Sequence, residues 1–447
     1  MARTQTIDVR SLLTRLLPDE RLTELATAAA VVQRHRKLDV KALFWTLVLG
    51  FGTGQQRRLA QLRRTYELCT GISLVASSFY DHFTPALVRF LKAAVQSVLV
   101  QVAEPVRALG GLLSRFQDVV MTDSTVIRLH DLLKDTYPAC RTNHTLAALK
   151  LHVVLSVLGA GPRSVRITSE RVHDGPVFQV GKWVKGRLLL FDLAYFRYQL
   201  LSRIARNGGW FIVRLKKSAN PLIVQAHRRW RGRSVELVGA RIHDVLERLQ
   251  RQSIDVQAEV GFKRRVYGGV QRQDKERFRL VAVRDDHSGQ YHAYLTNIPP
   301  EQLSPEQIAI SYAARWTIEL FFRELKLRYR ADQMPSHKPA VVEALLYAVL
   351  LTVVVSRALL QALRGKLGAL SRPVPTERWA TLLALVAPDL LRIVLRPAAQ
   401  THWLCTTVSR LLLHESVDPN VSRLLLLERV ESGTQYEHRR AVAQQHR

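Results

Sequence analysis

The sequence predicts an α/β fold in which a strand-rich middle section, interrupted by a β-rich insertion, lies between helical N-terminal and C-terminal regions. Residues 1–117 space their apolar side chains as helices do, and residues 118–217 contain short apolar runs typical of buried strands. Residues 218–303 alternate apolar and polar side chains, which indicates half-buried strands. A chain of 447 residues, 47% of them hydrophobic, can bury a large core around these elements.

The N-terminal region, residues 1–117, is predicted to be helical and rich in arginine, and we expect it to bind DNA. Its segment "QQRRLAQLRRTYELCTGISLVASSFYDHF" predicts a helix, a turn at Thr70 and Gly71, and a second helix. This pattern fits a helix-turn-helix DNA reader. A plain helical bundle explains it equally well, so both interpretations stay open.

The first part of the core, residues 118–217, is predicted to run as three strands, a helix, a strand, a helix and a strand. The strands are predicted in the segments "VVMTDSTVIRL", "LKLHVVLSV", "SVRITSERV", "GRLLLFDLAYF" and "GWFIVRLKK", with the first helix near "PVFQVGKWV". This order is that of a ribonuclease H-like catalytic core. The β-rich insertion of residues 218–303 follows it, with clear alternation in "IDVQAEVGF", "RFRLVAVRD" and "QYHAYLTNI".

The second part of the core, residues 304–365, is predicted to be helical. Ser304 suits an N-cap, Pro305 the first helical position, and Gln307 the partner position of a capping box. The apolar run of residues 344–356 is only about 13 residues long, short of the roughly 20 that cross a bilayer, so we predict a buried core helix and no membrane contact. Residues 366–447 are predicted to be helical and a candidate dimerisation region, with a polar, frayed end from residue 432.

The charge balance points to a polyanionic partner. The chain has 66 Lys and Arg against 37 Asp and Glu, a formal charge of +29 and a pI near 10.8, which favours nucleic acid. Three separate cysteines imply neither a disulfide framework nor a zinc cluster, so a reducing interior is expected. The start, "MARTQTIDVRSLL", lacks the apolar run of a secretory signal. We therefore expect a cytoplasmic, nucleoid-associated protein.

Two acidic residues conflict with their apolar surroundings. Asp123 lies within "VVMTDSTVI" and Asp192 within "LLLFDLAYF", although aspartate is depleted in strands. A buried ionised carboxylate costs several kcal/mol unless something compensates it. A pair of such acids suggests a hard divalent cation such as Mg²⁺. Glu319, on a helix that can pack beside the sheet, supplies a third carboxylate for a two-metal site.

One helix face of "YAARWTIELFFRELK" gathers four chemically active side chains. At about 100° per residue they fall at roughly 0°, 300°, 340° and 320°, in the order Tyr312, Arg315, Glu319 and Lys326. A simple salt bridge could explain Arg315 and Glu319, but it does not explain the other two. Glu324, about 140° from Glu319 around the helix, is predicted to be a solvated charge.

The sequence resembles the DDE transposases of bacterial insertion sequences. It is similar to the group with the Tyr-Arg-Glu-Lys signature, the insertion-sequence-four-type family, whose spacing is Tyr, two residues, Arg, three residues, Glu, six residues, Lys. The signature positions are Tyr312, Arg315, Glu319 and Lys326. Asp123 and Asp192 match the two aspartates, and the gap before Glu319 leaves room for the insertion this group carries. Leu193 and Ala194 depart from the Arg or Gly that members often have there.

The resemblance implies a metal-dependent DNA enzyme. Asp123, Asp192 and Glu319 would hold two Mg²⁺ ions, with Mn²⁺ as an alternative, for hydrolysis at the transposon ends. The freed 3′ hydroxyl would then attack target DNA. Arg315 and Lys326 would contact phosphates, while Tyr312 would bind a phosphate or pack on a terminal nucleotide. The implied partners are the terminal inverted repeats and target DNA, bound by a homodimer in the synaptic complex.

Several alternatives stay open at this point. Trp316 could stack on a displaced base, or it could be a core aromatic residue under the helix. The neighbours His173 and Asp174 resemble a dyad, but a strand-end histidine is more often structural. A structure-selective nuclease would share the three acids without the phosphate-binding signature. A transposase-derived DNA-binding regulator would tolerate the loss of an acid, yet all three are present.

Overall fold

The computed structural model describes most of the chain. The described residues are 7–31, 38–102, 107–140, 145–159, 161–227, 229–230, 233–234, 237–264, 271–286, 288–367, 374–417 and 430. The predicted polar end from residue 432, and with it much of the predicted C-terminal region, lies outside the described residues.

The N-terminal region is helical, as predicted. Its helices are α1 (Val9–Leu16), α2 (Asp19–Ala28), α3 (Val40–Thr46), α4 (Leu59–Thr70), α5 (Ala76–Tyr80) and α6 (Pro85–Val102), with a π-helical turn, Leu47–Phe51, after α3. α4 ends at Gly71 in the left-handed conformation (φ 74°), so the predicted turn is confirmed. α5 has only five residues, and Tyr66 and Phe79 are buried in the shared core. The two helices and the turn between them are therefore present, and both interpretations of the segment stay open.

The core strands follow in the predicted chain order. They are β1 (Val119–Arg128), β2 (Ala148–Ser156), β3 (Pro162–Ser169), β4 (Leu188–Phe191) and β5 (Trp210–Arg214), with α7 (Asp174–Val177) after β3 and α8 (Tyr198–Arg206) after β4. The first predicted helix is reduced to α7 and a 3₁₀ turn, Lys182–Val184. One prediction was wrong in detail, because β4 ends at Phe191 and Asp192 follows the strand instead of lying within it.

The strands after β5 extend the same sheet. They are β6 (Leu222–Ala226), β9 (Ser253–Lys263), β10 (Gln273–Arg284) and β11 (Tyr291–Thr296); β7 (Arg229–Trp230) and β8 (Arg233–Ser234) pair separately, and α9 (Ile242–Arg248) precedes β9. Within the described residues the large sheet has the order β3-β2-β1-β4-β5-β11-β10-β9-β6. β11 joins β5 in antiparallel pairing, so the strands after residue 218 continue the sheet of the catalytic strands.

The final helices pack on the sheet face to which Met121 of β1 belongs. They are α10 (Pro305–Ala313), α11 (Trp316–Leu327), α12 (Pro339–Leu367), α13 (Thr376–Leu395) and α14 (Ala398–Glu415). The capping box that opens α10 is confirmed, because the Ser304 hydroxyl accepts from the Gln307 amide and the Gln307 side chain accepts from the Ser304 amide. The mixed α/β class is therefore confirmed, with helices packed on a large mixed sheet.

The sheet separates two apolar clusters. In β1, Met121 faces the cluster formed with α6, α12 and the terminal helices, while Val120 faces the cluster of α8 and the opposite sheet face. The apolar run of residues 344–356 is buried as predicted, but it belongs to the 29-residue helix α12. By length and composition α6 and α12 could cross a membrane; 83% of the apolar window of α12 is buried inside the protein, which makes it a core helix.

Candidate active site

Asp123 and Asp192 lie side by side at one edge of the sheet. β1 and β4 run parallel, with Thr122 opposite Phe191, so the next residue of each chain is an aspartate. Parallel strands present their carboxyl ends at the same edge, and this register brings the two acids together. Residues in β1 alternate between faces, which directs Asp123 to the face covered by α10 and α11.

The surroundings of Asp123 disfavour the ionised form of its carboxyl. Burial raises the pKa of its carboxyl to about 6, and the carboxylates of Asp192 and Glu319 contribute in the same direction. The amide of Ser124, which donates to Asp123 Oδ1 at 2.8 Å, and the Arg315 guanidinium oppose this shift. A raised pKa at clustered carboxylates is the signature of a site that lacks positive charge. The donor set therefore fits a divalent cation.

The signature residues do not lie on one continuous helix, which corrects the single-helix prediction. α10 ends at Ala313 and α11 begins at Trp316. The junction is a tight turn in which the amide of Arg315 donates to the carbonyl of Tyr312 at 3.0 Å. In such i to i+3 turns side chains three apart eclipse each other. Arg315 accordingly lies above the Tyr312 ring, 5.8 Å from its centroid.

Tyr312 and Lys326 are hydrogen-bonded to the two strands that carry the aspartates. The Tyr312 hydroxyl donates to the carbonyl of Phe191, directly before Asp192, at 3.0 Å. The Lys326 ammonium donates to the carbonyl of Val126 in β1 at 2.9 Å. Burial raises the pKa of Tyr312 to about 12 and lowers that of Lys326. Each side chain fixes its helix against one aspartate strand.

Arg315 is the cation of the site in the ion-free protein. Its Nη2 donates to Glu319 Oε1 at 2.7 Å, so the predicted i,i+4 salt bridge is present. The carboxylate of Asp192 also stabilises its charge. Among the described side chains, no three histidine, cysteine or carboxylate groups are close enough in this arrangement to hold one metal ion. Glu319 is therefore engaged by Arg315 instead of completing a three-carboxylate cluster.

Comparison with known proteins then decides the family. Residues 114–355, more than half of the chain, match the family model described as transposase DDE domain, and this stretch contains all three acids. The chain belongs to the DDE transposase family. DDE transposases are enzymes that act on DNA and use divalent metal ions.

Curated relatives of this transposase come from bacterial insertion sequences. It is 22% identical to the transposase for insertion sequence element IS231F of Bacillus thuringiensis subsp. israelensis, over 76% of this chain and 77% of that protein. It is 23% identical to the transposase for insertion sequence element IS1151 of Clostridium perfringens, over 67% of this chain and 69% of that protein. These relatives support a DDE transposase of an insertion sequence.

A solved structure is also similar to this transposase. The piggyBac transposase in a synaptic complex with hairpin DNA aligns with a TM-score of 0.47 and 10% identity. The alignment covers 94% of this chain and 87% of the other.

The structure also shows the burial of two other residues of α11, Trp316 and Glu324. Trp316 is half-buried and belongs to neither apolar cluster of the described residues. Glu324, predicted to be solvated, is instead only 8% exposed and forms an ion pair with Arg357 of α12. The helical wheel correctly placed Glu324 on a different side of the helix from Glu319. A wheel does not reveal that α12 packs against that side.

The sequence did not identify a polar cluster behind Asp123. Asp174, considered only as a partner of the adjacent His173, instead lies 3.1 Å from His152 Nδ1. It is also 3.5 Å from the Lys150 ammonium, and the nearby Ser124 side chain helps to lower the pKa of its carboxyl. His173 itself is exposed. No local spacing links residues on β1, β2 and α7, so only the pairing of the strands could reveal this cluster.

Proposed function

We propose that this transposase is a member of the Tyr-Arg-Glu-Lys group, the insertion-sequence-four-type family, with a ribonuclease H-like catalytic core. Its activity is metal-dependent hydrolysis of phosphodiester bonds at the transposon ends, followed by transfer of the 3′ hydroxyl into target DNA. The observation that carries the proposal is the adjacent placement of Asp123 and Asp192 at parallel strand ends, with Glu319 within electrostatic range of Asp123.

Asp123, Asp192 and Glu319 are the residues that would hold the metal, and we propose two Mg²⁺ ions, with Mn²⁺ as an alternative. Bound there, the ions supply an activated water and stabilise the departing 3′ oxygen. The three carboxylates would hold the ions in a fixed geometry. Glu319 joins the two aspartates by exchanging its bond with Arg315, which frees the guanidinium for a phosphate.

We assign the DNA contacts to the side of the sheet on which Glu319 and the α10–α11 junction lie. Arg315 and Lys326 neutralise phosphates that flank the scissile bond. Tyr312 packs against the terminal nucleotide of the DNA or forms a hydrogen bond with its phosphate. Trp316 stacks on a displaced base, which its half-buried position outside the apolar clusters supports. The bonds of Tyr312 and Lys326 to the strands add a positioning role to these contacts.

The remaining regions are assigned by their charge and position. The helical region of residues 1–117 contacts the terminal inverted repeats, and the overall charge of +29 favours phosphate binding. Residues 218–303 form the β-rich insertion between the two parts of the core, residues 118–217 and 304–365. Synapsis of two ends requires two copies, so we propose a homodimer that uses residues 366–447. Its site of action is the bacterial cytoplasm, at the nucleoid.

The test compares the wild-type protein with Glu319→Gln on a plasmid that carries the gene with its native flanks, in the presence of Mg²⁺. Glu301→Gln, an exposed glutamate before α10, is the matched control. Cleavage or strand transfer by the wild type and the control, and none by Glu319→Gln with unchanged DNA binding, supports the proposal. Binding of the flanks without cleavage by the wild type would favour a regulator. Cleavage of branched DNA without regard to the flanks would favour a nuclease.

A further inference from the structure

A polar cluster around one carboxylate, that of Asp174, lies on the reverse face of β1. Successive residues of β1 point to opposite faces, so Asp123 faces α11 whereas Ser124 faces the other side. Ser124 lies opposite His152 in the β1–β2 register. Asp174, at the start of α7, lies close enough to the Ser124 side chain for Ser124 to lower the pKa of its carboxyl. Asp174 is therefore connected to β1 at the residue next to the catalytic aspartate.

Asp174 also contacts two basic side chains of β2. Its Oδ1 is 3.1 Å from His152 Nδ1 and 3.5 Å from Lys150 Nζ. The side chains of His152 and Lys150 are only 5% and 13% exposed, so solvent screens these contacts little. Burial raises the pKa of Asp174, but the contacts with His152, Ser124 and Lys150 outweigh it and lower the pKa to about 2. The carboxylate thus stays ionised and joins β1 to β2.

His152 contacts both Asp174 and Thr168 of β3. Thr168 Oγ1 donates to the carbonyl of Ser169 at 3.0 Å, so it accepts from His152 Nε2, 2.9 Å away. His152 Nδ1 and Asp174 Oδ1 are both buried, face each other, and have no regular hydrogen bond to another described side chain. These contacts hold the Asp174 carboxylate against β2.

We propose that Asp174 is a positioning residue for the cleavage reaction: through its contacts with Ser124 and His152 it fixes β1 so that Asp123 is held toward Asp192 and Glu319. This inference rests on the proposed function, because it assigns Asp174 a part in the same reaction. We assign Asp174 no direct contact with DNA or metal. Without its charge, the Lys150 ammonium loses its countercharge, and the contacts with His152 and Ser124 are weakened.

The kinetic test measures end cleavage by Asp174→Asn. We expect kcat to fall by about 10- to 100-fold, the usual range for removing an outer partner of a catalytic group. KM and DNA affinity should stay unchanged, since DNA lies on the opposite face. Asp244→Asn, in the first turn of the short helix α9, is the control and should behave as wild type. An unchanged kcat in a folded Asp174→Asn protein, or an equal loss of DNA affinity, would overturn the proposal.

Two further variants separate positioning from a general loss of folding. Ser124→Ala should lower kcat, and the double variant with Asp174→Asn should be no worse than the more affected single variant, because both act through one contact. Additive losses would contradict this. His152→Ala should regain activity when imidazole is added, since His152 lines an open cleft of about 610 Å³ through which imidazole can enter. Failure of imidazole to restore a folded His152→Ala protein would also count against the proposal.

Hydrogen exchange distinguishes failure of this inference from failure of the proposed function. In the metal-free and DNA-free protein, Asp174→Asn should increase amide exchange in β1 after Asp123, with no change in β9 or β10. That result supports the positioning role even if the wild type does not cleave its flanks. Unchanged exchange in β1 would overturn the positioning role even if the wild type is an active transposase.

Discussion

At the residue scale, the site combines three carboxylates with a single nearby guanidinium. Asp123 carries a raised pKa because it is buried and lies near Asp192 and Glu319. Arg315 partly offsets this charge through its bond to Glu319. Residues that serve catalysis are commonly held at a cost in stability. The raised pKa of Asp123 predicts such a cost for this proposed catalytic acid, and the cost can be measured.

Asp123→Asn should make the ion-free protein more stable at neutral pH. The carboxyl has a pKa of about 6 in the folded chain and about 3.9 when unfolded, so the folded state binds its proton more tightly. Stability is therefore lost as pH rises from about 4 to about 6, by at most about 3 kcal/mol. Thermal unfolding between pH 4 and 8 without divalent ions should show this loss in wild type and in Asp244→Asn, but not in Asp123→Asn. The same pH dependence in all three proteins would contradict the assignment.

Tyr312→Phe should destabilise the protein but leave DNA binding unchanged, because the hydroxyl is bonded to Phe191 and the ring that would pack against the DNA end is retained. The change removes the donor to the Phe191 carbonyl, which costs about 1 kcal/mol. Denaturant unfolding and fluorescence anisotropy with end DNA measure the two effects separately. Tyr80→Phe, at an exposed position of α5, is the control. A loss of DNA affinity with unchanged stability would instead show that the hydroxyl contacts DNA more than it holds the strand.

At the element scale, the strands after residue 218 hold the start of the signature helices. The guanidinium of Arg279 in β10 bonds both carboxylate oxygens of Asp255 in β9, at 2.8 and 2.7 Å. It also donates to the carbonyls of Ile298 and Leu303, which lie just before α10. Arg279 is 3% exposed and Asp255 8% exposed. One buried ion pair thus connects two strands to the segment that leads into Tyr312.

Asp255→Asn should be strongly destabilising, because it leaves the Arg279 guanidinium buried without its countercharge. Breaking such a buried pair costs about 3–5 kcal/mol, whereas replacing both partners by apolar residues is much milder. Urea unfolding should therefore find the double variant Asp255→Leu with Arg279→Met more stable than Asp255→Asn. Glu259→Gln, which removes a more exposed ion pair between the same two strands, should change stability little. A mild effect of Asp255→Asn would contradict the proposed role of the pair.

At the scale of the whole molecule, the helices from both ends of the chain share one core with the sheet. The apolar cluster that contains Met121 extends from Ile7 to Val430. The π-helical turn after α3 packs closely on α12, where the Thr352 hydroxyl donates to the carbonyl of Val48. Gly52 permits this approach, since a Cβ there would lie 1.7 Å from Thr352 Oγ1. The N-terminal helices are therefore coupled to the helix that covers the catalytic sheet.

Gly52→Ala should lower the unfolding temperature of the protein, and the protein should still unfold in a single transition. The added methyl group would overlap both Thr352 and the carbonyl of Val48, and overpacking of this kind costs about 1–3 kcal/mol. Gly365→Ala is the matched control, because a Cβ at this position of α12 meets nothing within 4 Å. That control should be neutral or slightly stabilising, as alanine favours helices over glycine. Calorimetry checks both; two separate transitions in Gly52→Ala would contradict a shared core.

Local sequence signals predicted much of the fold but less of the site. The capping box at Ser304 and the β1 strand around Asp123 depend on neighbours a few residues away, and both are confirmed. The break between α10 and α11 was not predicted, because apolar spacing continues through it. The neighbourhood of Asp174 was also missed, since its partner His152 is distant in sequence.

The sequence by itself determined the mixed α/β class, the order of the core strands and the basic, DNA-directed character of the protein. These properties follow from composition and from side-chain periodicity, which act over a few residues. Only the tertiary structure decided that Asp123 lies beside Asp192, that Glu324 is buried against Arg357, and that Asp174 joins β1 to β2. Each of these depends on strand register or helix packing between segments that are distant in sequence. The free energies of such packing are summed over the whole core, so no short stretch of sequence encodes them.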